Sequence, residues 1–217
     1  MGVLAGLGLP CFAQSMQVDL LWNRLELPSR QVQHSHSTLG AVQDLEAQTA
    51  SGLGLRFTYA LGSLETAGVR LSFGYQVAQG TDGKATETTS FAGTTTTVQR
   101  TGLRTEVRTL IFGAALATGG PLCVGIGLDG RFESIRDWTQ PWLDPSVPVS
   151  ADLLRPWLRG YLQYRFASGS FRPVVGVEVA LPLVHPSYST TNAYASEDAA
   201  TALAPDKQVG FFLGVQF

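Results

Sequence analysis

The sequence predicts an all-β fold, a closed antiparallel eight-stranded up-and-down transmembrane β-barrel, on the basis of three observations. Large apolar residues alternate with small or polar ones over eight segments, which is the period of a strand with two different faces. The connections between these segments are alternately long and short, as in a barrel whose two ends face different surroundings. Only 15% of the 217 residues are charged, 24 are glycine, and no apolar run is long enough for a spanning helix.

The eight predicted strands follow one another along the chain and share this alternation. They cover residues 17–25, 51–62, 68–78, 100–117, 122–134, 153–166, 171–183 and 208–217. Four segments between them are polar or rich in glycine, proline and threonine, and we predict them to be long loops. These are 28–50, 79–99, 135–152 and 184–206, the second of which could include extensions of its flanking strands. With an even number of strands, both termini lie at the end that carries the short turns.

The strength of the pattern differs from strand to strand. In the first strand, Val18, Leu20 and Trp22 alternate with their neighbours before the pattern stops at Arg24. The second and third strands are the most regular, with the apolar rows Leu53, Leu55, Phe57, Tyr59 and Leu61, then Val69, Leu71, Phe73, Tyr75 and Val77. In the fourth strand the residues predicted to face outward are Leu103, Val107 and Ile111. The last four strands continue the alternation as far as the terminal Phe217.

If the apolar rows face lipid, the charged residues between them must face the lumen. By this assignment the lumen charge network consists of Arg56, Arg70, Arg104, Glu106, Arg108, Asp129, Arg131, Glu133, Arg159, Arg165, Arg172 and Glu178, with Asp19 as a further candidate. The opposite assignment, a soluble lipocalin-like barrel, would crowd large aromatic residues into a narrow interior. An eight-stranded barrel is just wide enough for its side chains to fill, so paired charges predict a plug. The excess of arginine leaves a narrow anion-selective pore as the alternative.

Charge complementarity predicts the register of the hairpin formed by the fourth and fifth strands. Pairing Arg108 with Asp129, Glu106 with Arg131 and Arg104 with Glu133 puts opposite charges face to face, each pair contributing about 0.2–1 kcal/mol. This register leaves a two-residue turn, Thr118-Gly119, which is a common hairpin length.

The last ten residues resemble the C-terminal signal of bacterial outer-membrane β-barrels. Its places are filled by Gln208, Gly210, Leu213, Val215 and Phe217. The whole chain resembles the small eight-stranded families of the OmpA transmembrane-domain, OmpX and opacity-protein types. The resemblance implies a location in a Gram-negative outer membrane, with periplasmic termini and a surrounding of lipid and lipopolysaccharide. It also implies that the outer-membrane assembly machinery reads the last strand.

The N-terminal segment resembles the second half of a secretory signal. Its apolar run ends near Ala13, but no Lys or Arg precedes that run. We therefore interpret residues 1–13 as a truncated signal peptide and residues 14–217 as the barrel. Cys11 belongs to the leader, so Cys123 has no intramolecular disulfide partner, and it is interpreted as a small packed side chain. The net charge of −2 argues against nucleic-acid binding.

Three groups of residues are candidate sites of chemistry. His34, His36 and His185 could meet at the outer rim, but solvated loop histidines are the simpler interpretation, and we predict no metal site. His185-Pro186-Ser187 followed by Glu197 resembles the site of outer-membrane lipid A deacylases, although Pro186 interrupts the motif. Three tryptophans beside the third long loop, Trp138, Trp142 and Trp157, are predicted to be interfacial anchors.

The sequence therefore predicts a non-enzymatic surface barrel without a cofactor. Its four long loops would serve adhesion or envelope integrity, with an extracellular ligand as a possible partner. The alternatives are the narrow anion pore and a lipid-modifying enzyme.

Overall fold

A computed structural model describes residues 15–36, 39–61, 66–138, 148–166, 171–187 and 200–217. Ten strands lie within these ranges: β1 (Ser15–Leu27), β2 (Arg30–His36), β3 (Leu39–Leu45), β4 (Gln48–Leu61), β5 (Gly68–Phe91), β6 (Thr94–Ala117), β7 (Leu122–Asp137), β8 (Val149–Arg165), β9 (Arg172–Pro182) and β10 (Lys207–Gln216). Across these same ranges, no helix combines the length and the apolar character needed to cross a bilayer.

Eight of these strands form a closed antiparallel ring. Each ring strand pairs with the next ring strand in the chain, and β1 pairs with β10 to close the barrel. The members of the ring are β1, β4, β5, β6, β7, β8, β9 and β10. The predicted fold class is confirmed, and each predicted strand corresponds to one strand of the ring. We call the end with the connections 62–67, 118–121 and 166–171 the turn end, and the opposite end the loop end.

Part of the first predicted loop is a hairpin, so the prediction of a loop throughout 28–50 was wrong. Strands β2 and β3 pair with each other, and β3 pairs with the upper part of β5, from Ala85 to Phe91. The backbone N–H and C=O groups of β3 form hydrogen bonds with β5, so this segment can be a strand without a hydrophobic alternation of its own. Strands β5 and β6 each run for 24 residues. Their upper parts and the β2–β3 hairpin form a four-stranded protruding sheet at the loop end.

The tip of the β5–β6 hairpin is a two-residue turn. Phe91 pairs with Thr94, and between them Ala92 and Gly93 have φ angles of 49° and 83°. Two positive φ angles are those of a type I′ turn, whose twist matches that of the flanking strands. The threonine-rich segment 94–97 is therefore strand, as the predicted extension of β6 allowed.

The barrel is apolar on the outside and polar on the inside. On β4, Leu53 and Leu55 are 61% and 50% exposed, whereas Arg56 is only 3% exposed. The same alternation holds on the other ring strands, where outward rows of leucine, valine and aromatic residues are exposed and inward residues are buried. We call these outward rows the apolar belt. The distribution is the reverse of that in a soluble domain and is that expected for a barrel in lipid.

Strand β6 faces the opposite way from the prediction. Val107 and Ile111 point inward and are 0% and 3% exposed, so the predicted outward orientation of these two residues was wrong. Val107 packs in an inner apolar cluster with Leu25 and Ile135. The other face of β6 contributes Leu110, Phe112 and Leu116 to the apolar belt. This orientation buries one apolar face of β6 in the lumen and turns the other towards lipid. The gain outweighs the cost of placing three charged residues, Arg104, Glu106 and Arg108, on the outer face.

The predicted register of the β6–β7 hairpin was also wrong. Thr109, not an arginine, lies opposite Glu133, and Arg108 lies opposite Ser134. The connection is longer than the predicted two-residue turn, because β6 ends at Ala117 and β7 begins at Leu122. The predicted pairs of Arg104, Glu106 and Arg108 with acids and arginines of β7 do not form, because these three residues are on the outer face.

Two inward-facing aromatic side chains cover glycines on the neighbouring strand. Tyr161 lies directly opposite Gly125, and Phe212 directly opposite Gly176. A Cβ atom on either glycine would overlap the aromatic ring. Large rings therefore fit inside because the neighbouring strand has no side chain at that position, a pairing that also stabilises strand register.

Candidate functional site: the barrel lumen

Arg56 is the centre of the first ion cluster in the lumen. Its Nε lies 3.2 Å from Asp19 Oδ2, and its Nη1 donates to Glu178 Oε2. The guanidinium group also stacks over the Phe212 ring, with its Cζ 4.8 Å from the ring centroid. All three charged side chains are almost completely buried. One cation is thus held between two carboxylates, and the aromatic ring covers its face.

A second cluster lies on strands β7 and β8. Asp129 accepts from Arg159 at 3.0 Å and from Arg131 at 3.3 Å, so one carboxylate here neutralises part of two guanidinium groups. Arg159 also donates to Ser72 Oγ across the barrel at 3.0 Å. The two clusters have opposite imbalances of charge, and they lie side by side in one lumen.

Gln208 joins the two clusters. Its Oε1 accepts from Arg131 at 2.7 Å, and its Nε2 donates to Glu178 at 2.9 Å and to Asn23 at 3.0 Å. Asn23 in turn donates to Gln76 at 2.6 Å. The polar residue at the start of the predicted assembly signal is therefore a buried hub of the lumen network.

A third ion pair lies nearer the loop end. Arg155 Nε donates to Glu133 Oε2 at 2.6 Å, and its Nη2 donates to the carbonyl of Pro205 at 2.9 Å. The Trp157 ring is buried between Arg131 and Arg155, whose Cζ atoms are 4.3 and 5.1 Å from its centroid. The prediction that Trp157 anchors the barrel at a membrane interface was therefore wrong. Arg155 was missed, although it has the same parity on β8 as Arg159 and Arg165.

The arginines at the turn end bind backbone carbonyl groups. Arg70 donates to the carbonyl of Thr118 at 3.0 Å, and Arg165 donates to the carbonyl of Gly120. Arg165 also contacts Gln216 Oε1 at 3.4 Å. These bonds explain much of the excess of arginine over acids, because carbonyl oxygens of the 118–121 turn take the place of carboxylates. Arg172 belongs to the same lumen-facing parity and is half-buried.

An apolar segment fills the mouth of the barrel at the loop end. Ala200, Ala202, Leu203 and Ala204 are at most 2% exposed. They pack against inner residues of the ring such as Leu25, Ala78 and Ile135. Bonds from Leu203 N to Ala200 O and from Ala204 N to Thr201 O form a short helical turn. We call residues 200–205 the cap; sequence analysis missed it, although its run of alanine and leucine inside a polar loop was a signal.

One small cavity lies in the lumen below the cap. The cavity lined by Arg56, Arg70, Ser72, Arg159 and Tyr161 has a volume of about 10 Å³. A cavity of that size has room for about one water molecule.

The predicted network divides into two groups according to where the structure places its members. Nine members have lumen-facing parity: Arg56, Arg70, Asp129, Arg131, Glu133, Arg159, Arg165, Arg172 and Glu178. Asp19, the further candidate, is also inside. Three are outside, and their assignment to the lumen was wrong: Arg104, Glu106 and Arg108. In the predicted assembly signal, Gln208 and Gly210 face inward, whereas Leu213, Val215 and Phe217 are exposed in the apolar belt.

The other candidate residues form no catalytic or metal centre among the residues that the structure describes. His185 Nδ1 lies 3.2 Å from Asp206 Oδ1, and Asp206 also contacts Arg30 at 3.3 Å. Within the described ranges no hydrogen bond joins His185 to Ser187; Glu197 and the side chains of His34 and His36 lie outside those ranges. No group of three or more His, Cys, Asp or Glu suited to a metal is found in the described part of the chain. Cys123 is a buried free thiol, as its interpretation as a packed side chain requires.

The closed ring, the apolar belt and the charged interior define a small transmembrane β-barrel of the antiparallel up-and-down type. No protein-family model and no curated protein matches the sequence. Two similar solved structures are the outer membrane protease OmpT from Escherichia coli and the outer membrane protein OprG from Pseudomonas aeruginosa. The first is 8% identical with a TM-score of 0.41, the second 11% identical with a TM-score of 0.36. Each comparison covers 94% of this chain and 96% of the other. Likenesses this distant do not bear on activity.

Proposed function

We propose that this chain is an integral barrel of a Gram-negative outer membrane whose lumen is closed, and that it has a structural or surface-interaction role without enzymatic activity. The observation that carries closure is the pairing of buried charges around Arg56, Asp129 and Glu133, with the cap above them. Buried charges that have partners remain in place, and moving them apart to admit an ion would cost several kcal/mol. Outer-membrane lipid and lipopolysaccharide surround the barrel, and its termini are periplasmic.

The protruding sheet supports the surface role. Outer-membrane barrels cross the bilayer with about 9–11 residues per strand, so strands of 24 residues extend well beyond it. Phe91 and Val98 are exposed near the end of this sheet, and its threonines form side-chain pairs such as Ser90–Thr95 at 3.2 Å. A sheet that projects from the barrel and carries exposed apolar residues suits contact with another surface, in adhesion or in envelope integrity. The last strand, β10, would be the segment that the assembly machinery reads.

The second candidate is a narrow anion-preferring pore, which the excess of lumen arginines favours. Against it, Arg70 and Arg165 bind carbonyl groups, and Arg155 holds the cap through Pro205. These arginines are fixed donors in the fold, whereas anion conduction requires charges that a passing ion can reach.

Conductance in planar bilayers tests closure. We expect the full-length protein to insert without discrete single-channel steps, because paired side chains and the cap occupy the lumen. The control is a variant that lacks residues 200–204 and carries Asp19→Ala, Arg56→Ala and Glu178→Ala, which should conduct once heat-modifiable gel migration shows that it is folded. Clear anion-preferring steps from the unaltered protein would overturn the proposal and support the pore.

A further inference from the structure

Three arginines and one glutamate form a charged group on the outside of the barrel, immediately above the apolar belt. Strand β6 carries Arg104, Glu106 and Arg108 on its outer face, and Arg136 lies on β7 directly opposite Glu106. The row just below is apolar, because Leu110 lies opposite Tyr75 on one side and Phe132 on the other. The outer surface thus changes from apolar to charged within one row. We call Arg104, Arg108 and Arg136 the outer arginines.

The height of the outer arginines matches the edge of a membrane. Strands rise about 3.3 Å per residue and tilt by about 40° in such barrels, which puts Arg108 roughly 20 Å above Leu116 and Arg104 roughly 30 Å above it. The apolar band of an outer-membrane barrel is about 25 Å tall. The outer arginines therefore lie where lipid head groups meet the barrel wall.

The group has more positive than negative charge. Glu106 is buried between its neighbours: Arg108 Nε donates to it at 2.7 Å, Arg104 Nη2 lies 3.7 Å away, and Gln79 donates to it at 2.9 Å. Asp152 is the nearest outward acid on β8, separated from Arg108 by Ser134. One carboxylate at the centre orients the arginines but does not neutralise them. The Arg104 and Arg108 side chains remain 50% and 41% exposed.

An aromatic residue completes the group. The Arg104 guanidinium lies over the Trp138 ring, with its Cζ 4.6 Å from the centroid. Stacking fixes the plane of the guanidinium while its N–H edge stays available. Tryptophan, like tyrosine, is also enriched at the level of lipid head groups. The arginines are thus held in place before any ligand arrives, which lowers the entropic cost of binding.

We propose that the outer arginines bind the phosphate groups of an anionic glycolipid, the lipopolysaccharide of the leaflet at the loop end. The proposal rests on the proposed function for the location of the barrel in an outer membrane. The planar guanidinium fork of arginine matches the geometry of phosphate oxygens and can donate two parallel hydrogen bonds. The neighbouring apolar belt would receive the acyl chains of the same lipid, so head group and tail are recognised by adjoining surfaces.

Binding of lipid A to the folded protein in detergent, followed by native mass spectrometry, tests this proposal. The probes are bisphosphorylated lipid A, lipid A without phosphate, and inorganic phosphate as competitor. The test variant is Arg104→Gln/Arg108→Gln/Arg136→Gln. The control, Arg24→Gln/Lys84→Gln/Lys207→Gln, removes the same number of positive charges elsewhere on the exposed surface.

We expect the test variant to bind bisphosphorylated lipid A at least about tenfold more weakly than the unaltered protein, through loss of charge-assisted hydrogen bonds. The control should bind bisphosphorylated lipid A like the unaltered protein. The unaltered protein should bind phosphate-free lipid A no more tightly than the test variant binds bisphosphorylated lipid A. Equal binding by the test variant and the unaltered protein, or effective competition by inorganic phosphate alone, would overturn the proposal. If the test variant fails to fold, Arg104→Gln alone must still weaken binding. If the barrel conducted ions, the expected binding of lipid A would be unchanged. Failure of the proposed function is therefore distinguishable from failure of the proposed lipid A site.

Discussion

Replacing Arg56 with alanine should lower the free energy of unfolding by about 3–5 kcal/mol, the range for removing one partner of a buried ion pair. Arg56 is the direct cationic partner of both Asp19 and Glu178. Without it, two buried carboxylates remain close together with no cation between them. Their mutual repulsion and their loss of hydration add to the loss of packing against Phe212. Urea unfolding in lipid vesicles, followed by heat-modifiable gel migration, measures the change.

Two comparisons separate the electrostatic cause from a loss of volume. Arg24→Ala removes the same side chain from an exposed position on the outer surface and should cost no more than about 1 kcal/mol. The triple variant Asp19→Asn/Arg56→Ala/Glu178→Gln leaves the same cavity but removes all three charges, and it should recover most of the stability lost in Arg56→Ala, since uncharged side chains need no partner ion. If the triple variant were as unstable as Arg56→Ala, cavity formation and not unpaired charge would be the cause.

Replacing Leu203 with aspartate should release the cap from the mouth of the barrel. Leu203 is completely buried among apolar side chains, and an unpaired carboxylate there would cost several kcal/mol. The cap is a short segment, so leaving the mouth is less costly than burying that charge. The ring strands should stay folded, because their hydrogen bonds do not involve the cap.

Cysteine labelling measures cap release. In a background with Cys11→Ala and Cys123→Ala, a cysteine replacing Ala202, which is 1% exposed, should react slowly with a water-soluble maleimide. Adding Leu203→Asp should raise the labelling rate by at least about tenfold, since even a 1.4 kcal/mol change in the opening equilibrium has that effect. The matched control, Val98→Asp, adds the same charge at an exposed position of the protruding sheet. Equal protection with and without Leu203→Asp would show that the cap does not close the mouth.

The regular strands could be predicted from the sequence because only one of their faces carries large apolar residues. On β4 and β5, glycine, arginine and serine alternate with leucine and aromatic residues, so only one orientation buries the polar row. Strand β6 has apolar residues on both faces, with Val107 and Ile111 on one and Leu110 and Phe112 on the other. The charges of Arg104, Glu106 and Arg108 favour the wrong face, because charged residues near a membrane edge also face outward.

The lumen could be predicted in part. Arg56, Asp129 and Glu178 follow directly from strand parity, but the partners of each depend on which strands face each other across the barrel. Gln208 joins residues from β1, β7 and β9, a meeting that only the closed ring brings about. The cap could not be predicted from periodicity, because it enters the mouth as a single turn with no repeating pattern. The β2–β3 hairpin depends likewise on the extension of β5 beside it.

The orientation of the rows is the claim on which the whole account depends, and methyl NMR of the unaltered protein in lipid nanodiscs tests it most directly. Addition of a lipid with a nitroxide on its acyl chain should broaden the methyl signals of Leu55, Leu110 and Leu116, which lie in the apolar belt. The signals of Val107 and Ile111 should stay sharp, because these residues point into the lumen. Broadening of Val107 and Ile111 with sharp signals from Leu110 and Leu116 would contradict the orientation of β6, and sharp signals from all the belt residues would contradict the barrel's place in a membrane.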